Sequence, residues 1–190
     1  IRPTAIYSRV FVQAALAVPF IPLEWAGKKN GLSILLAARG EEVRTELQQF
    51  GDDLVLATPS YSKSALLGYL MRQPVAVIGP GSYHGRQDDI VTDLRQFDGR
   101  DILLVTDHAG EMERTRDWFG SSEVLEPEVA GSRFYVVLGR DFDFPRYRED
   151  VLSPVAEKYY RIPPWLQPFA GPNFFRERYD LPQSQPLPSH

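Results

Sequence analysis

The sequence has no cysteine, only three histidines and no excess of basic residues. Without cysteine there is no thiolate nucleophile, no cysteine metal site and no disulfide. The absence of cysteine does not determine whether the protein resides in an oxidising or a reducing compartment. Acidic residues outnumber basic ones 25 to 21, for a net charge of -4. Nucleic-acid binding requires a positive surface field that this balance does not supply. We therefore expect no nucleic-acid partner.

A hydrophobic run long enough to cross a bilayer is also missing. The longest apolar segment, VFVQAALAVPFIPL at 10–23, is interrupted by Pro19 and Pro22, and it is shorter than the roughly 20 residues of a membrane-spanning helix. It is expected to be a buried strand or an apolar strap, with the edge of a trimmed membrane segment as the alternative. Because the sequence begins with Ile1, we expect a processed product or an excerpt of a longer protein.

Three short apolar segments stand between helix-like stretches and each ends in a polar loop: LVLAT (54–58), VAVI (75–78) and ILLVT (102–106). This order is typical of a parallel sheet with crossover helices. Helices are predicted at 60–71 with a serine cap, at 88–97, and from a cap at Asp107 through Phe119. Ligands of such sheets bind outside the carboxyl ends of the strands.

The flanking regions complete the predicted architecture. Residues 41–50 have the spacing of a short helix, whereas 33–38 could be a strand or part of that helix. Two strands, within 121–131 and 132–140, are predicted to form a hairpin at Ala130 and Gly131. The predicted fold is α/β, a three-layer Rossmann-like, mostly parallel sheet with an antiparallel edge hairpin.

The chain divides into three predicted parts: an apolar entry segment (1–40), an α/β domain (41–140) and a C-terminal region (141–190). Eight of the sixteen prolines lie in 151–190, together with seven aromatic residues. We expect a helix over 153–160, then a proline-stiffened aromatic strap, and a disordered end from residue 181. The aromatic cluster could hold a sugar face or a polyprenyl chain, or could pack on the domain.

The strand-end loops contain the candidate substrate-binding residues. Glycines at 79 and 81 precede a predicted helix and could cradle an anion, or could serve only the turn. The serines and aspartates of these loops fit helix caps as well as ligands. The sequence predicts no catalytic residue, no metal ligand and no cofactor. The candidates for substrate binding are Ser60, Tyr61, Tyr83, His84, Arg86, Asp88, Asp107 and His108.

Three motifs in a fixed order carry a resemblance to a known family. They are Leu67-Gly68-Tyr69-Leu70 ahead of Gln73-Pro74-Val75, the loop from Gly79-Pro80-Gly81 to Gln87-Asp88-Asp89, and Tyr159-Tyr160 with Pro164-Trp165-Leu166. Over residues 41–166 the chain resembles the soluble C-terminal domain of bacterial membrane glycosyltransferases. These enzymes are relatives of dolichyl-phosphate-mannose protein mannosyltransferase and of the aminoarabinose lipid A transferase.

The resemblance implies an enzyme that transfers a sugar from a polyprenyl-phosphate donor at the periplasmic face of the inner membrane. In that family the catalytic acid lies in the membrane part, so no residue of this sequence receives the catalytic role. The implied task of the domain is to cap the membrane active site and to contribute to substrate binding. The implied partners are the transmembrane portion of the same enzyme and a lipid-linked sugar or acceptor glycan.

Two other functions fit the same sequence. A free-standing metal-dependent transferase or hydrolase requires that Ser60, His84, Asp88, Asp107 and His108 converge around a pocket. A non-catalytic interaction module requires a contiguous exposed apolar patch that includes Trp165 and Phe169.

Overall fold

A computed structural model describes residues 31–51, 53–79, 91–163, 165–166 and 169–182. The apolar segment at 10–23 and the chain end from residue 183 lie outside these residues. No helix in the described ranges is both long and apolar enough to cross a membrane.

The centre of the molecule is a five-stranded mixed sheet. Its strands are β1 (Val55–Thr58), β2 (Ala76–Val77), β3 (Ile102–Thr106), β4 (Phe119–Leu125) and β7 (Tyr135–Phe142). They lie in the order β2-β1-β3-β7-β4. Strand β1 pairs in parallel with β2 and β3, whereas β7 runs antiparallel to both β3 and β4. Four strands therefore share one direction, and the predicted α/β fold with its mostly parallel sheet is confirmed.

Side chains of the fully buried strand β3 alternate between two apolar layers, as the two-residue period of a strand dictates. Ile102 and Leu104 join one core, and Leu103 and Val105 join the other. A strand buried on both faces requires a continuous apolar sequence, which ILLV supplies. The sheet is thus the middle of three layers.

Helices α1 (Gly31–Gln48) and α2 (Tyr61–Met71) cover the first face. The segment 33–38, which periodicity left open, belongs to α1. Its backbone departs from helical geometry at Arg39, and a Cβ on Gly40 would press on the side chain of Leu70. The missing side chain at Gly40 therefore lets α1 approach α2 closely.

Two predicted helices on the second face differ from the structure. The described end of the predicted 88–97 helix is a separate 3₁₀ turn (Leu94–Phe97), capped by the Asp93 side chain. Helix α3 spans only Ala109–Arg116. The prediction that it continues through Phe119 is wrong, because Phe119 and Gly120 begin β4.

The predicted turn at Ala130 and Gly131 is present, and both residues have positive φ, as a tight hairpin turn requires. It joins two short strands, β5 (Glu128–Val129) and β6 (Ser132–Arg133), in a separate two-stranded sheet. The long antiparallel pair is β4 with β7. The predicted hairpin strands are therefore each divided into two.

The C-terminal region packs on the second face of the sheet. A continuous helical stretch comprises α4 (Phe144–Tyr147), a π-helical turn (Arg148–Leu152) and α5 (Ser153–Tyr159). The strap that follows contains a further short helix, α6 (Phe174–Arg178). Phe175 and Tyr179 are almost fully buried against sheet residues, so this region completes the second apolar layer.

Candidate functional site

The carboxyl edge of the sheet is where β1 and β3 end in Thr58 and Thr106, both fully buried. Strand alternation places Asp107 on the face covered by α1 and α2, since Val105 lies in that core. Thr106 points to the opposite face, towards α3. Two consecutive polar residues thus reach the two sides of the sheet.

Asp107 forms a buried ion pair with Lys63 in the first turn of α2. The Lys63 Nζ donates to Asp107 Oδ1, and the two side chains are only 9% and 6% exposed. A lysine in the first helical turn is unfavourably placed in the field of the helix, and the carboxylate of Asp107 offsets that field. The pair therefore fixes the start of α2 to the end of β3.

The other carboxylate oxygen of Asp107 faces the first described turn of α1. The backbone N–H of Leu32 donates to Asp107 Oδ2 at 3.4 Å. The prediction that Asp107 caps the helix that follows it is wrong: His108 occupies the cap position of α3, without a side-chain cap bond. Asp107 instead joins three elements that are far apart in sequence.

The His108 side chain is accessible to solvent at this edge. Its side chain is 46% exposed, and its Nε2 lies 3.5 Å from Asp107 Oδ1. Its backbone N–H donates to Thr106 Oγ1 at 3.2 Å, and the Thr106 hydroxyl in turn donates to Glu111 Oε2 at 2.5 Å. The loop after β3 is thereby held on both faces of the sheet, and it presents one imidazole to solvent.

Ser60 and Tyr61 lie at the start of α2, as the sequence predicts. Ser60 takes the cap position, but its hydroxyl makes no cap hydrogen bond and pairs with the Ser62 hydroxyl at 3.1 Å. Tyr61 is 59% exposed. A serine therefore occupies the cap position, as predicted, but without the side-chain hydrogen bond, and the tyrosine is available for contact with a ligand or partner.

Four other predicted candidates, Tyr83, His84, Arg86 and Asp88, lie outside the described residues. The structure consequently brings together Asp107 and His108 with Lys63, which sequence reasoning did not select. The sequence feature that could have pointed to Lys63 is a lysine among the serines at the start of α2. No group of three potential metal-ligating side chains occurs in the described part of the chain.

One polar group near this edge has no partner among the described residues. The Thr58 hydroxyl is fully buried and makes no hydrogen bond. At the end of the neighbouring strand, the backbone N–H of Gly79 donates to the Tyr147 hydroxyl at 2.8 Å. Hydrogen bonds thus tie both strand ends to other elements, and the carboxylate of Asp107 is already engaged in them.

A second concave region, missed by the sequence analysis, lies where α1 departs from helical geometry. This groove of about 450 Å³ is lined by Gly40, Leu66, Tyr69 and Leu70, among others. Tyr69 is 88% exposed. Because α2 runs away from the carboxyl edge, its last turn places the groove at the opposite end of the molecule. A glycine inside a helical pattern was the available signal.

The strap presents the largest exposed apolar side chains in the second half of the chain. Trp165 is 74% exposed, Phe169 is 84% exposed and Phe174 is 53% exposed. The Phe169 backbone N–H donates to the Leu166 carbonyl at 2.9 Å, so Trp165, Leu166 and Phe169 lie within one turn of the chain. The interaction-module hypothesis requires a contiguous exposed apolar patch that includes Trp165 and Phe169, and both of these side chains are exposed.

Comparisons with protein-family models, with curated proteins and with solved structures found no match in any of the three.

Proposed function

We propose that this chain is the extracytoplasmic domain of a polyprenyl-phosphate-sugar-dependent glycosyltransferase, and that it contributes binding contacts rather than the catalytic groups. The carrying observation is the engagement of Asp107. A general base or acid must be free to exchange a proton with substrate, whereas Asp107 is buried and committed to Lys63 and to the α1 backbone. Among the described residues of this edge, His108 and Tyr61 are left to contact a substrate.

Exposed aromatic rings give further support to a binding role. Flat apolar rings pack against sugar faces and against polyprenyl chains, and the strap carries Trp165 and Phe169 in accessible positions. The proposed partner of the domain is the transmembrane portion of the same enzyme, with the lipid-linked sugar or acceptor glycan between them. The motif order over residues 41–166 is the basis for assigning this class of enzyme.

The deciding experiment uses the full reading frame that contains this chain. We expect about ten or more hydrophobic spans of about 20 residues upstream of Ile1 in that frame, and transfer of labelled sugar from a polyprenyl-phosphate donor by membranes that contain the full-length protein. Deletion of residues 31–182 should abolish transfer at equal membrane abundance. The 190-residue chain alone should transfer nothing. Robust transfer by the chain alone, or a start codon close to Ile1, would reject the proposal.

A point variant separates a binding role from a catalytic one. In the full-length protein, His108→Gln should raise the KM for the donor or acceptor and leave kcat within about twofold, the pattern of lost ground-state contacts. Tyr69→Phe, at the opposite end of the molecule, is the matched control and should change neither constant. A fall in kcat of about a hundredfold for His108→Gln would instead place chemistry at this edge.

A further inference from the structure

We propose that the strap docks this domain on a phospholipid surface by inserting an aromatic turn, defined by Trp165, Leu166 and Phe169, into the interfacial zone. The inference goes beyond the proposed function and holds for any membrane-associated role of the chain. It rests on the shape of the strap, on the kind of side chain at its tip, and on the charges at its base.

The strap is a loop closed at its base. The Tyr160 and Phe175 rings stack in parallel with centroids 4.1 Å apart, and the Asn173 side-chain amide donates to the Tyr160 carbonyl at 2.5 Å. Phe175 is itself buried in the sheet-side core. The chain thus leaves the domain at Tyr160 and rejoins it at Asn173, and these contacts hold the two ends of the strap together.

The tip of this loop is apolar and exposed. Trp165 and Phe169 are 74% and 84% exposed, and Leu166 between them is 38% exposed. The Leu166 carbonyl accepts from the backbone N–H groups of both Phe169 and Ala170 at 2.9 and 3.0 Å, so these side chains occur on one compact turn. Tryptophan is favoured at membrane interfaces because its ring is apolar and its N–H can remain hydrated.

The charged residues between the two ends of the strap are basic, which an anionic membrane surface favours. From Lys158 to Arg176 every charged residue of the sequence is basic, and the acidic residues Glu157 and Glu177 flank this stretch on its two sides. Lys158 is exposed, and the guanidinium of Arg178 lies 4.2 Å from the centre of the Phe174 ring. Cations beside an apolar tip interact with lipid phosphates while the tip enters the interface. Glu157, at the edge of this stretch, is paired with Arg176.

The test measures binding of the full 190-residue chain to vesicles made of equal parts phosphatidylcholine and phosphatidylglycerol. Trp118 is buried and Trp25 lies outside the described residues, so a Trp25→Phe background leaves Trp165 as the exposed reporter in the described ranges. We expect a blue shift of its fluorescence and quenching by brominated lipids. Trp165→Phe should remove that signal while vesicle co-sedimentation remains.

The variant Phe169→Ala should weaken vesicle affinity by about tenfold, because a fully inserted aromatic ring contributes at least that factor. Tyr69→Ala, equally exposed but on the opposite face of the sheet, is the matched control and should leave affinity unchanged. Near-ultraviolet circular dichroism checks that both variants fold. Equal affinity of the two variants, or no binding to vesicles, would overturn the proposal. The proposal would also be overturned if the Trp165 fluorescence changed only in the presence of the transmembrane portion of a partner protein in detergent, and not with vesicles.

Discussion

Asp107 shows how one side chain can determine the geometry of a strand-end loop. Its carboxylate bonds to an ammonium 44 positions away and to a backbone amide 75 positions away. Removing a charge from water costs several kcal/mol, which is recovered only when its partners remain in place. The pair therefore adds little to the net free energy of unfolding. Its main effect is to fix the position of α1 and α2 relative to β3.

Loss of the Asp107 charge should be strongly destabilising. In Asp107→Asn the buried Lys63 ammonium loses its counter-charge, and we expect the free energy of unfolding to fall by about 3–5 kcal/mol in urea titrations. The exposed Asp53 offers the control, since Asp53→Asn should change stability by less than about 0.5 kcal/mol. The double variant Lys63→Met with Asp107→Leu should recover most of the loss. A single-variant effect as small as that of Asp53→Asn would show that the pair is not buried in solution.

Tyr179 links the strap to the 3₁₀ turn and makes stability dependent on alkaline pH. Its hydroxyl donates to the Thr92 carbonyl at 2.9 Å and accepts from the Leu94 N–H at 3.3 Å. Burial raises the pKa of this phenol, which the Leu94 and Arg178 contacts partly oppose. The folded state keeps the proton that the unfolded chain releases near pH 10. Its contribution is therefore complete below that pH and is lost as pH rises through the raised folded pKa.

Tyr179→Phe tests this contribution directly. At pH 7 the variant should lose about 1–2 kcal/mol, because two backbone groups lose a buried partner. Its stability should then decline less steeply than that of the parent between about pH 10 and 12, as measured by urea unfolding across that range. Tyr69→Phe should follow the parent profile. Parallel profiles for the parent and Tyr179→Phe would contradict the assignment.

At the scale of elements, local patterns predicted the strands well and the capping contacts poorly. The run ILLV, followed by a polar loop, predicted a doubly buried strand, and the pair Ala130-Gly131 predicted the turn between two strands. The end of α3 was missed because Trp118, Phe119 and Gly120 fit both a helix end and a strand start. What selects the strand is pairing of Phe119 with Phe142, 23 positions later. The Lys63–Asp107 pair is equally non-local. The sequence therefore indicated the carboxyl edge of the sheet as the candidate site, but not the ion pair at its centre.

The pairing of β4 with β7 depends on the absence of a side chain at Gly139. A Cβ at this position would overlap the Phe119 ring, which lies over the glycine and contacts Phe142 with centroids 5.6 Å apart. Gly139→Ala should therefore displace the ring and cost about 1–3 kcal/mol. Gly110→Ala in α3 is the control: no atom lies within 4 Å of its Cβ, and the helix should gain up to about 1 kcal/mol. Equal unfolding midpoints for the two variants would contradict the predicted overlap.

At the scale of the whole molecule, the two faces of the sheet are covered by different parts of the chain. Helices α1 and α2 come before the last strands, and α4 to α6 come after them. The buried Arg176 connects the chain end to this second layer, since its guanidinium bonds to Glu157 and to the Pro182 carbonyl. Phe175 and Tyr179 of the strap belong to the same apolar cluster as Ile102, Val137 and Phe142, so we infer that the strap is required for a stable fold.

Truncation distinguishes a required strap from an appended one. A chain that ends at Asn173 lacks Phe175, Arg176 and Tyr179, three nearly fully buried side chains. Each aromatic residue removed from a core costs about 3–5 kcal/mol, and the sum approaches the total stability of a typical domain. We therefore expect this chain to lose cooperative thermal unfolding and to bind hydrophobic dyes, whereas a chain ending at Pro182 retains every described residue and should unfold cooperatively. Cooperative unfolding of the shorter chain, within a few degrees of the longer one, would show that the fold is stable without α6.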